Sequence, residues 1–126
     1  MKKLYRILSI TLMLCLSISF MSFAGREGLS PSGETQKGIA WKYYTGEIDE
    51  KGYEVFLQNQ WKQFEKGWCY FGEDGLTSPG SWVLVNEKWY YFDESSVMLH
   101  DTTTPDGHYV GSDGAWVSDA SPAKNN

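Results

Sequence analysis

Tryptophan is the residue type whose spacing in this chain points to a chemical role. Two pairs, Trp61 with Trp68 and Trp82 with Trp89, share a spacing of seven residues, and the second pair follows the first by 21 residues. The face of an aromatic ring attracts organic cations by ~0.5–1 kcal/mol when exposed and ~2 kcal/mol when desolvated. Because the same rings also fill hydrophobic cores, both roles are open for these four residues.

The residues that follow each tryptophan pair extend the repeat. Three further matches at the same offset are Tyr70 with Tyr91, Phe71 with Phe92, and Glu73 with Glu94. A third, partial copy lies at residues 109–114, and a weaker one lies upstream at residues 41–44. Self-similarity at a period of 20–50 residues is typical of stacked structural units.

Each copy of the repeat is predicted to form a β-hairpin. The aromatic and β-branched runs 82–85 and 89–92 flank a polar loop of three residues, Asn86-Glu87-Lys88. In the earlier copy the loop is Glu65-Lys66-Gly67, where glycine can supply a left-handed conformation. Because one hairpin alone is barely stable, the hairpins must stack. We therefore predict an all-β hairpin solenoid over residues 39–117, with no long helix after residue 24.

The two ends of the chain differ from this repeat region. Residues 1–24 join three early cations to an uncharged apolar run that ends in Ser-Phe-Ala, which indicates a secretory signal cleaved after Ala24. An uncleaved membrane anchor is the alternative. Residues 25–38 contain one large apolar residue, Leu29, and are predicted to be a flexible linker. Residues 118–126 are predicted to be a disordered tail.

The charge and cysteine content of the predicted mature chain exclude several classes of partner. Removing residues 1–24 leaves eight Lys and Arg against sixteen Asp and Glu, a net charge of −8. Because nucleic acids and anionic lipids require basic patches, neither is expected to bind. Cys69 is then the only cysteine, which excludes an intramolecular disulfide. It is expected to be a small buried residue, with an intermolecular disulfide as the alternative.

The remaining candidates for catalysis or metal binding are weak. The acid pairs Glu73-Asp74 and Asp93-Glu94 fall in predicted turns, whereas general acid–base catalysis would need them buried and converging on a cleft. His100 and His108 are eight residues apart and are expected to be solvated or hydrogen-bonded rather than metal-bound. We therefore expect no enzymatic activity, no metal site and no cofactor.

The strongest motif is W-x6-W-Y-Y-F-D at residues 82–93, followed by Val97-Met98 and by D-G-H-Y-V-G-S-D-G-A-W at residues 106–116. This pattern resembles the choline-binding, or cell-wall-binding, repeat family of Gram-positive bacteria and their phages. The resemblance covers about residues 61–117. It implies a β-hairpin solenoid whose grooves between successive hairpins hold choline groups of teichoic acids in aromatic cages. Related repeats in glucan-binding proteins hold α-glucans.

The resemblance also implies which residues contact the ligand. The two cages it predicts are, first, Trp61 and Trp68 with Trp89 or Tyr91 and, second, Trp82 and Trp89 with Tyr109 and a wall from Met98. Gly107 stands where the third copy would have a tryptophan. Tyr90, Phe71 and Phe92 are expected in the core. Strand register decides which tryptophans share a face, and the sequence leaves the register open.

The primary hypothesis is a secreted, cell-wall-associated module without catalytic activity that binds teichoic acid choline or a related wall polymer. One alternative is a repeat protein that binds α-glucans or other carbohydrates. A second alternative is a structural or adhesin-like surface protein without a small ligand. Association between copies of the chain through the repeats is a further option.

Overall fold

The computed structural model describes residues 25–118, and these residues form strands, turns and loops without a helix. The nine strands are β1 (Glu27–Thr35), β2 (Gly38–Ile48), β3 (Glu54–Phe56), β4 (Gln60–Phe64), β5 (Gly67–Phe71), β6 (Ser81–Val85), β7 (Lys88–Phe92), β8 (Thr102–Thr103) and β9 (Tyr109–Val110). The all-β prediction is thereby confirmed. The predicted signal segment 1–24 and residues 119–126 of the predicted tail lie outside the described residues. Over residues 25–118, no helix has the length and apolar character needed to cross a membrane.

Strands β1, β2 and β3 form one sheet in that order, and the chain divides into two compact units. The smaller unit contains residues 25–28 and 44–55. Within it, the Arg26 guanidinium lies 2.9 Å from the Glu54 carboxylate and 3.9 Å from the centre of the Tyr44 ring. The larger unit contains residues 29–43 and 56–118 and holds all the tryptophans.

Strand β1 occupies most of the segment that the sequence predicts to be a flexible linker, and that prediction is wrong. Backbone hydrogen bonds hold an edge strand in a sheet, so such a strand does not need apolar side chains. The polar composition of residues 25–38 therefore reflects exposed side chains rather than disorder. At the following turn, the Thr35 hydroxyl donates to the Gly38 carbonyl at 2.7 Å and accepts from the Lys37 amide at 3.1 Å.

Three hairpins follow this sheet: β4–β5, β6–β7 and β8–β9. In the first two hairpins the turns contain two residues, 65–66 and 86–87, rather than the predicted three. Asn86 and Glu87 have φ angles of 47° and 69°, and a type I′ turn requires positive φ at both central positions. In the earlier hairpin the positive φ, 134°, falls on Gly67, which is the first residue of β5.

Successive repeats are joined by a backbone hydrogen bond that recurs along the chain. The bond runs from a loop amide to a tryptophan carbonyl in three places: Thr77 to Trp41 (3.0 Å), Met98 to Trp68 (2.8 Å) and Trp116 to Trp89 (2.7 Å). In the last two cases the loop that follows one hairpin returns to the strand immediately before that hairpin, and in the first case it returns to β2. The stacking predicted from the repeat therefore rests on backbone bonds as well as on side chains.

The most deeply buried apolar side chains of the core come from the second strand of each hairpin. Phe71, Phe92 and Val110 are almost completely buried, as predicted for the two phenylalanines. Cys69 is also buried and has no disulfide partner, which confirms its prediction as a small buried residue. Tyr90, by contrast, is only half-buried, so its assignment to the core is wrong.

Candidate functional site

Strand register places both tryptophans of each pair on one face of their hairpin. In β4–β5, Trp68 lies directly opposite Gln63. Because Gln63 is two residues from Trp61, these two side chains share a face, and Trp68 joins them there. The equivalent register in β6–β7 gives Trp82 and Trp89 the same arrangement. The two-residue turns thus bring together the members of each pair.

The first pair lines a cleft of about 540 Å³, which we call groove A. Its apolar walls are Trp61, Trp68, Tyr90 and Met98. The Trp61 and Tyr90 rings meet edge to face with 4.8 Å between their centroids, whereas Trp68 is 41% exposed. Met98 is buried and closes the groove from within. Polar residues complete the lining, namely Gln63, Lys66, His100, Ser112 and Asp113.

The second pair lines a smaller cleft of about 350 Å³, which we call groove B. Its lining consists of Trp82, Trp89, Asp106, His108 and Trp116. The His108 ring lies edge-on between two tryptophans, 5.9 Å from Trp82 and 5.8 Å from Trp116 by ring centroids. Trp89 and Trp116 are each about two-fifths exposed, so both present ring surface to solvent.

Groove B repeats groove A one hairpin further along the chain. The tryptophan pair of groove B follows that of groove A by 21 residues. The other walls of each groove come from the hairpin after the tryptophan pair and from its loop, and those of groove B follow those of groove A by 18 residues. The four correspondences are Trp61 with Trp82, Trp68 with Trp89, Tyr90 with His108, and Met98 with Trp116. Each groove is therefore built from two successive copies of the repeat.

The largest cleft, about 910 Å³, lies one repeat before groove A and includes Trp41 in its lining. At the offset of 21 residues, Cys69 and Thr77 take the places that Tyr90 and Met98 occupy in groove A. The Thr77 hydroxyl accepts a hydrogen bond from the Trp41 amide at 2.9 Å. An aromatic wall and a thioether wall are thus replaced by a thiol and a hydroxyl, and the aromatic residues in the lining of this cleft are Trp41 and Phe64.

The structure corrects the predicted membership of the first cage. Tyr91 does not line groove A, and its ring lies 5.3 Å from that of Trp82, its partner across the strands. Neighbouring residues of a strand point to opposite faces, so Tyr90 faces back toward groove A while Trp89 faces groove B. Neither of the predicted third members, Trp89 or Tyr91, is therefore in groove A.

The second predicted cage is corrected in the same way. Tyr109 does not line groove B, and Met98 lines groove A instead. Their expected places are taken by His108 and Trp116, which the sequence analysis did not select. Aligning the third copy at an offset of 18 residues would have found both, because that offset sets His108 against Tyr90.

Groove B contains one carboxylate that is held in place by hydrogen bonds. The Trp82 indole nitrogen Nε1 donates to Asp106 Oδ2 at 2.9 Å, and the Thr104 hydroxyl donates to Asp106 Oδ1. These two bonds, the Thr104 bond first, lower the pKa of the Asp106 carboxyl below its ordinary value. His108 Nε2 lies 4.0 Å from Asp106 Oδ2. The groove thus carries a fixed negative charge beside its aromatic walls.

Two of the four carboxylates considered for catalysis, Asp74 and Asp93, accept backbone hydrogen bonds within turns. Asp74 accepts from the Leu76 amide at 2.9 Å, and Asp93 accepts from the Ser95 and Val97 amides at 2.9 and 3.0 Å. Among the residues that the structure describes, there is no group of three or more His, Cys, Asp or Glu side chains that could hold a metal ion.

Comparisons with known proteins agree with this architecture. The model of the choline-binding repeat family matches residues 78–116. No curated protein sequence matches the chain. The crystal structure of the choline-binding domain of Spr1274 from Streptococcus pneumoniae is 26% identical with a TM-score of 0.55, and the match covers 75% of this chain and 98% of that chain.

Two longer proteins of the same bacterium are also similar. Choline-binding protein F, crystallised in the presence of a peptidoglycan analogue, is 30% identical with a TM-score of 0.53, and the match covers 74% of this chain. CbpJ is 28% identical with a TM-score of 0.53, and the match covers 73% of this chain. This chain spans only 27% of the length of each. The segment 78–116, which contains groove B and its hairpins, therefore matches the choline-binding repeat family.

Proposed function

We propose that this chain is a cell-wall-binding module without catalytic activity, which holds choline groups of wall polymers in grooves A and B. Groove A carries the proposal, because Trp61, Trp68, Tyr90 and Met98 converge there from two successive repeats. A quaternary ammonium group has no hydrogen-bond donor, so only ring faces and dispersion can recognise it. Two or three aromatic walls with a thioether beside them meet that requirement.

The similar proteins support the cell wall as the target. The structure of choline-binding protein F was determined in the presence of a tetrasaccharide-pentapeptide peptidoglycan analogue, and the Spr1274 domain is described as choline-binding. Both come from a Gram-positive bacterium, which fits a protein that acts at the outer surface of the cell. A wall-bound location follows for this chain if it carries the same specificity.

The fixed charge of groove B favours a cationic ligand over a neutral glucan. The Asp106 carboxylate lies beside Trp82 and lines the groove. A positive group there gains from the aromatic faces and from the carboxylate together, whereas a neutral sugar gains no net charge interaction. The α-glucan hypothesis is therefore the second candidate, and the structural or adhesin-like hypothesis is the third.

The test is a titration of intrinsic tryptophan fluorescence with choline chloride and, separately, with a maltooligosaccharide. We expect saturable quenching by choline that weakens as salt is raised, since exposed charge interactions are screened. Saturable binding of the maltooligosaccharide without a response to choline would favour the glucan hypothesis. If neither ligand changes the fluorescence, the structural hypothesis takes precedence. Release of soluble sugar from purified cell walls would contradict the proposed lack of catalysis.

Secretion is part of the same proposal and has its own test. If the signal segment is cleaved after Ala24, the protein in the culture medium or wall fraction begins at Gly25. Mass spectrometry of that fraction gives the N-terminal residue directly. A protein that retains Met1 and sediments with the membrane would instead support the uncleaved anchor.

A further inference from the structure

We propose that groove B is a mixed aromatic and carboxylate site that binds protonated amines as well as quaternary ammonium ions, with Asp106 as the residue that selects them. This inference rests on the proposed function of the two grooves and adds that the two grooves prefer different ligands. Groove A, by contrast, is expected to prefer quaternary ammonium ions.

The Asp106 carboxylate is positioned to contact a ligand and can accept further hydrogen bonds. One oxygen accepts from Trp82 Nε1 and the other from the Thr104 hydroxyl. A carboxylate offers about four lone-pair sites, so these two bonds leave room for an N–H donor of a ligand. Because Trp82 is itself a wall of groove B, its bond to Asp106 holds the carboxylate at the edge of the ring that would contact the ligand.

The charges that line groove A differ from those of groove B. Asp106 of groove B lies in the turn between β8 and β9. The carboxylate that lines groove A, Asp113, is compensated: Oδ1 accepts from the Ala115 amide at 3.0 Å, and Oδ2 lies 3.9 Å from Lys88 Nζ. Lys66 adds a further cation to groove A. The two grooves therefore have similar aromatic walls but different electrostatics.

This difference matters most for a ligand with N–H groups. A protonated amine gives up hydrogen bonds to water when it enters an aromatic groove, and this loss is costly unless an acceptor replaces the water. Asp106 supplies a charged acceptor in groove B, and such charge-assisted bonds are roughly twice as strong as neutral ones. A quaternary ammonium ion has no N–H group to satisfy, so it does not depend on such an acceptor.

His108 is the other titratable residue that lines groove B, and its Nε2 lies 4.0 Å from Asp106 Oδ2. All ligands and variants are therefore compared at one fixed pH, on the full mature chain.

The experiment records the indole N–H signals of protein labelled with ¹⁵N-tryptophan, because different tryptophans line the two grooves. Trp61 and Trp68 report on groove A, whereas Trp89 and Trp116 report on groove B. The probes are choline, ethanolamine as the primary ammonium ion, and 3,3-dimethylbutan-1-ol as the neutral analogue of choline. We expect choline to shift both sets of signals and ethanolamine to shift the groove B set alone.

The deciding variant is Asp106→Asn, which removes the charge and keeps one oxygen acceptor for Trp82 Nε1, while its NH₂ group can donate to the Thr104 hydroxyl. We expect it to weaken ethanolamine binding in groove B by at least about tenfold, the usual range for a lost bond to a charged group. Choline binding there should fall by less. Glu87→Gln is the matched control, because it removes an acidic charge from the turn of the hairpin that carries Trp82 and Trp89 and does not alter the lining of either groove.

The outcomes separate this inference from the proposed function. The role of Asp106 would be overturned if ethanolamine bound equally in both grooves, or if it bound equally to Asp106→Asn and to the unchanged protein. Neither result would affect the proposal that groove A binds choline. Absence of any choline shift in groove A would overturn the proposed function itself. A shift of the groove A signals in Asp106→Asn without ligand would mean that the substitution disturbs the fold. In that case the role of Asp106 is tested by the salt dependence of ligand binding to the unchanged protein. Ethanolamine binding in groove B must then weaken with salt more than binding of the neutral alcohol.

Discussion

At the scale of single residues, Trp68 and Trp89 each have a backbone role and a separate side-chain role. Their carbonyls accept the amides of Met98 and Trp116, so the backbone at both positions is committed to the stacking of repeats. Their indole rings are 41% and 43% exposed, so the side chains contribute less to the core. Replacing the ring should therefore affect ligand binding more than folding.

We predict that Trp68→Ala weakens choline binding in groove A, and Trp89→Ala weakens it in groove B, by ~1–2 kcal/mol each, since each removes one cation–π wall. Trp89 was a candidate member of both predicted cages, but it lines groove B only. Isothermal titration calorimetry of both variants measures the effects. Tyr53→Ala is the control, because Tyr53 is an exposed aromatic residue in the smaller unit. If either tryptophan variant lost affinity in both grooves, the assignment of Trp68 to groove A and of Trp89 to groove B would be wrong.

The environment of Cys69 lowers the reactivity of its thiol. Burial raises the pKa of the Cys69 thiol to about 11, and the negative charge of Asp93 acts in the same direction. Because the thiolate is the reactive form, the folded protein should react slowly with thiol reagents near pH 8. We predict slow modification by a disulfide reagent in buffer and rapid modification in urea. Equal rates in both would contradict the buried position.

The same raised pKa predicts a pH dependence of stability. The unfolded thiol ionises near its ordinary pKa of 9.0, whereas the folded thiol ionises at about 11. The contribution of the neutral buried thiol is therefore complete below pH 9 and is lost as the pH rises toward 11. Urea unfolding of the unchanged protein and of Cys69→Ala over this range tests the point. The stability difference between them should change with pH, and a constant difference would contradict the assignment.

At the scale of elements, the loop after each hairpin supplies both a structural bond and a groove wall. The loop around Gly114 packs against the Met98 side chain, which lines groove A. Gly114 has φ of +79°, and a Cβ atom there would collide with the Met98 thioether. Ser96 occupies the equivalent position with φ of 64°, so a small side chain is tolerated there despite the positive φ. Packing, as well as backbone conformation, thus favours glycine at residue 114.

We predict that Gly114→Ala destabilises the fold and also lowers choline affinity in groove A by displacing Met98. The control is Gly107→Ala, because Gly107 has φ of +90° but a Cβ atom there would meet nothing within 4 Å. Gly107→Ala should cost about 1 kcal/mol of unfolding free energy from backbone strain alone. Gly114→Ala should cost about 1–3 kcal/mol more because of overpacking. Chemical denaturation and choline titration measure the two effects, and equal behaviour of both variants would rule out the Met98 contact as the cause.

At the scale of the whole molecule, stability and ligand binding are coupled through the grooves. Each groove takes its walls from two successive repeats, so a ligand in it contacts parts of the chain that separate on unfolding. A ligand that binds only the folded state stabilises it by an amount that grows with its concentration. The number of occupied grooves therefore determines how steeply stability rises with choline.

We predict that each occupied groove adds about 2.7 kcal/mol of unfolding free energy at a choline concentration one hundred times its dissociation constant. At that concentration the gain of Trp68→Ala should be about 1–2 kcal/mol smaller than that of the unchanged protein, because the variant weakens groove A and retains groove B. Urea unfolding at a series of choline concentrations gives both gains. Equal gains for the two proteins would mean that groove A is not a choline site.

The sequence by itself determined the fold class and the principal tryptophans. The 21-residue repeat, the aromatic runs and the intervening polar turns are local features, so they predict hairpins without knowledge of any contact between them. The four tryptophans of the two pairs do line the two grooves, and Phe71 and Phe92 do form the core. The motif at residues 82–116 was sufficient to indicate the family.

The tertiary structure alone decided which residues join those tryptophans. A change of one residue in a hairpin turn reverses the face of every side chain beyond it, so the groove walls depended on the two-residue turns at 65–66 and 86–87. Tyr90 and His108 follow from that register. Asp106 and Trp116 become neighbours only when the third copy stacks, and strand β1 is held by pairing rather than by its own composition. These features depend on contacts between distant segments, which a local pattern of residue types does not encode.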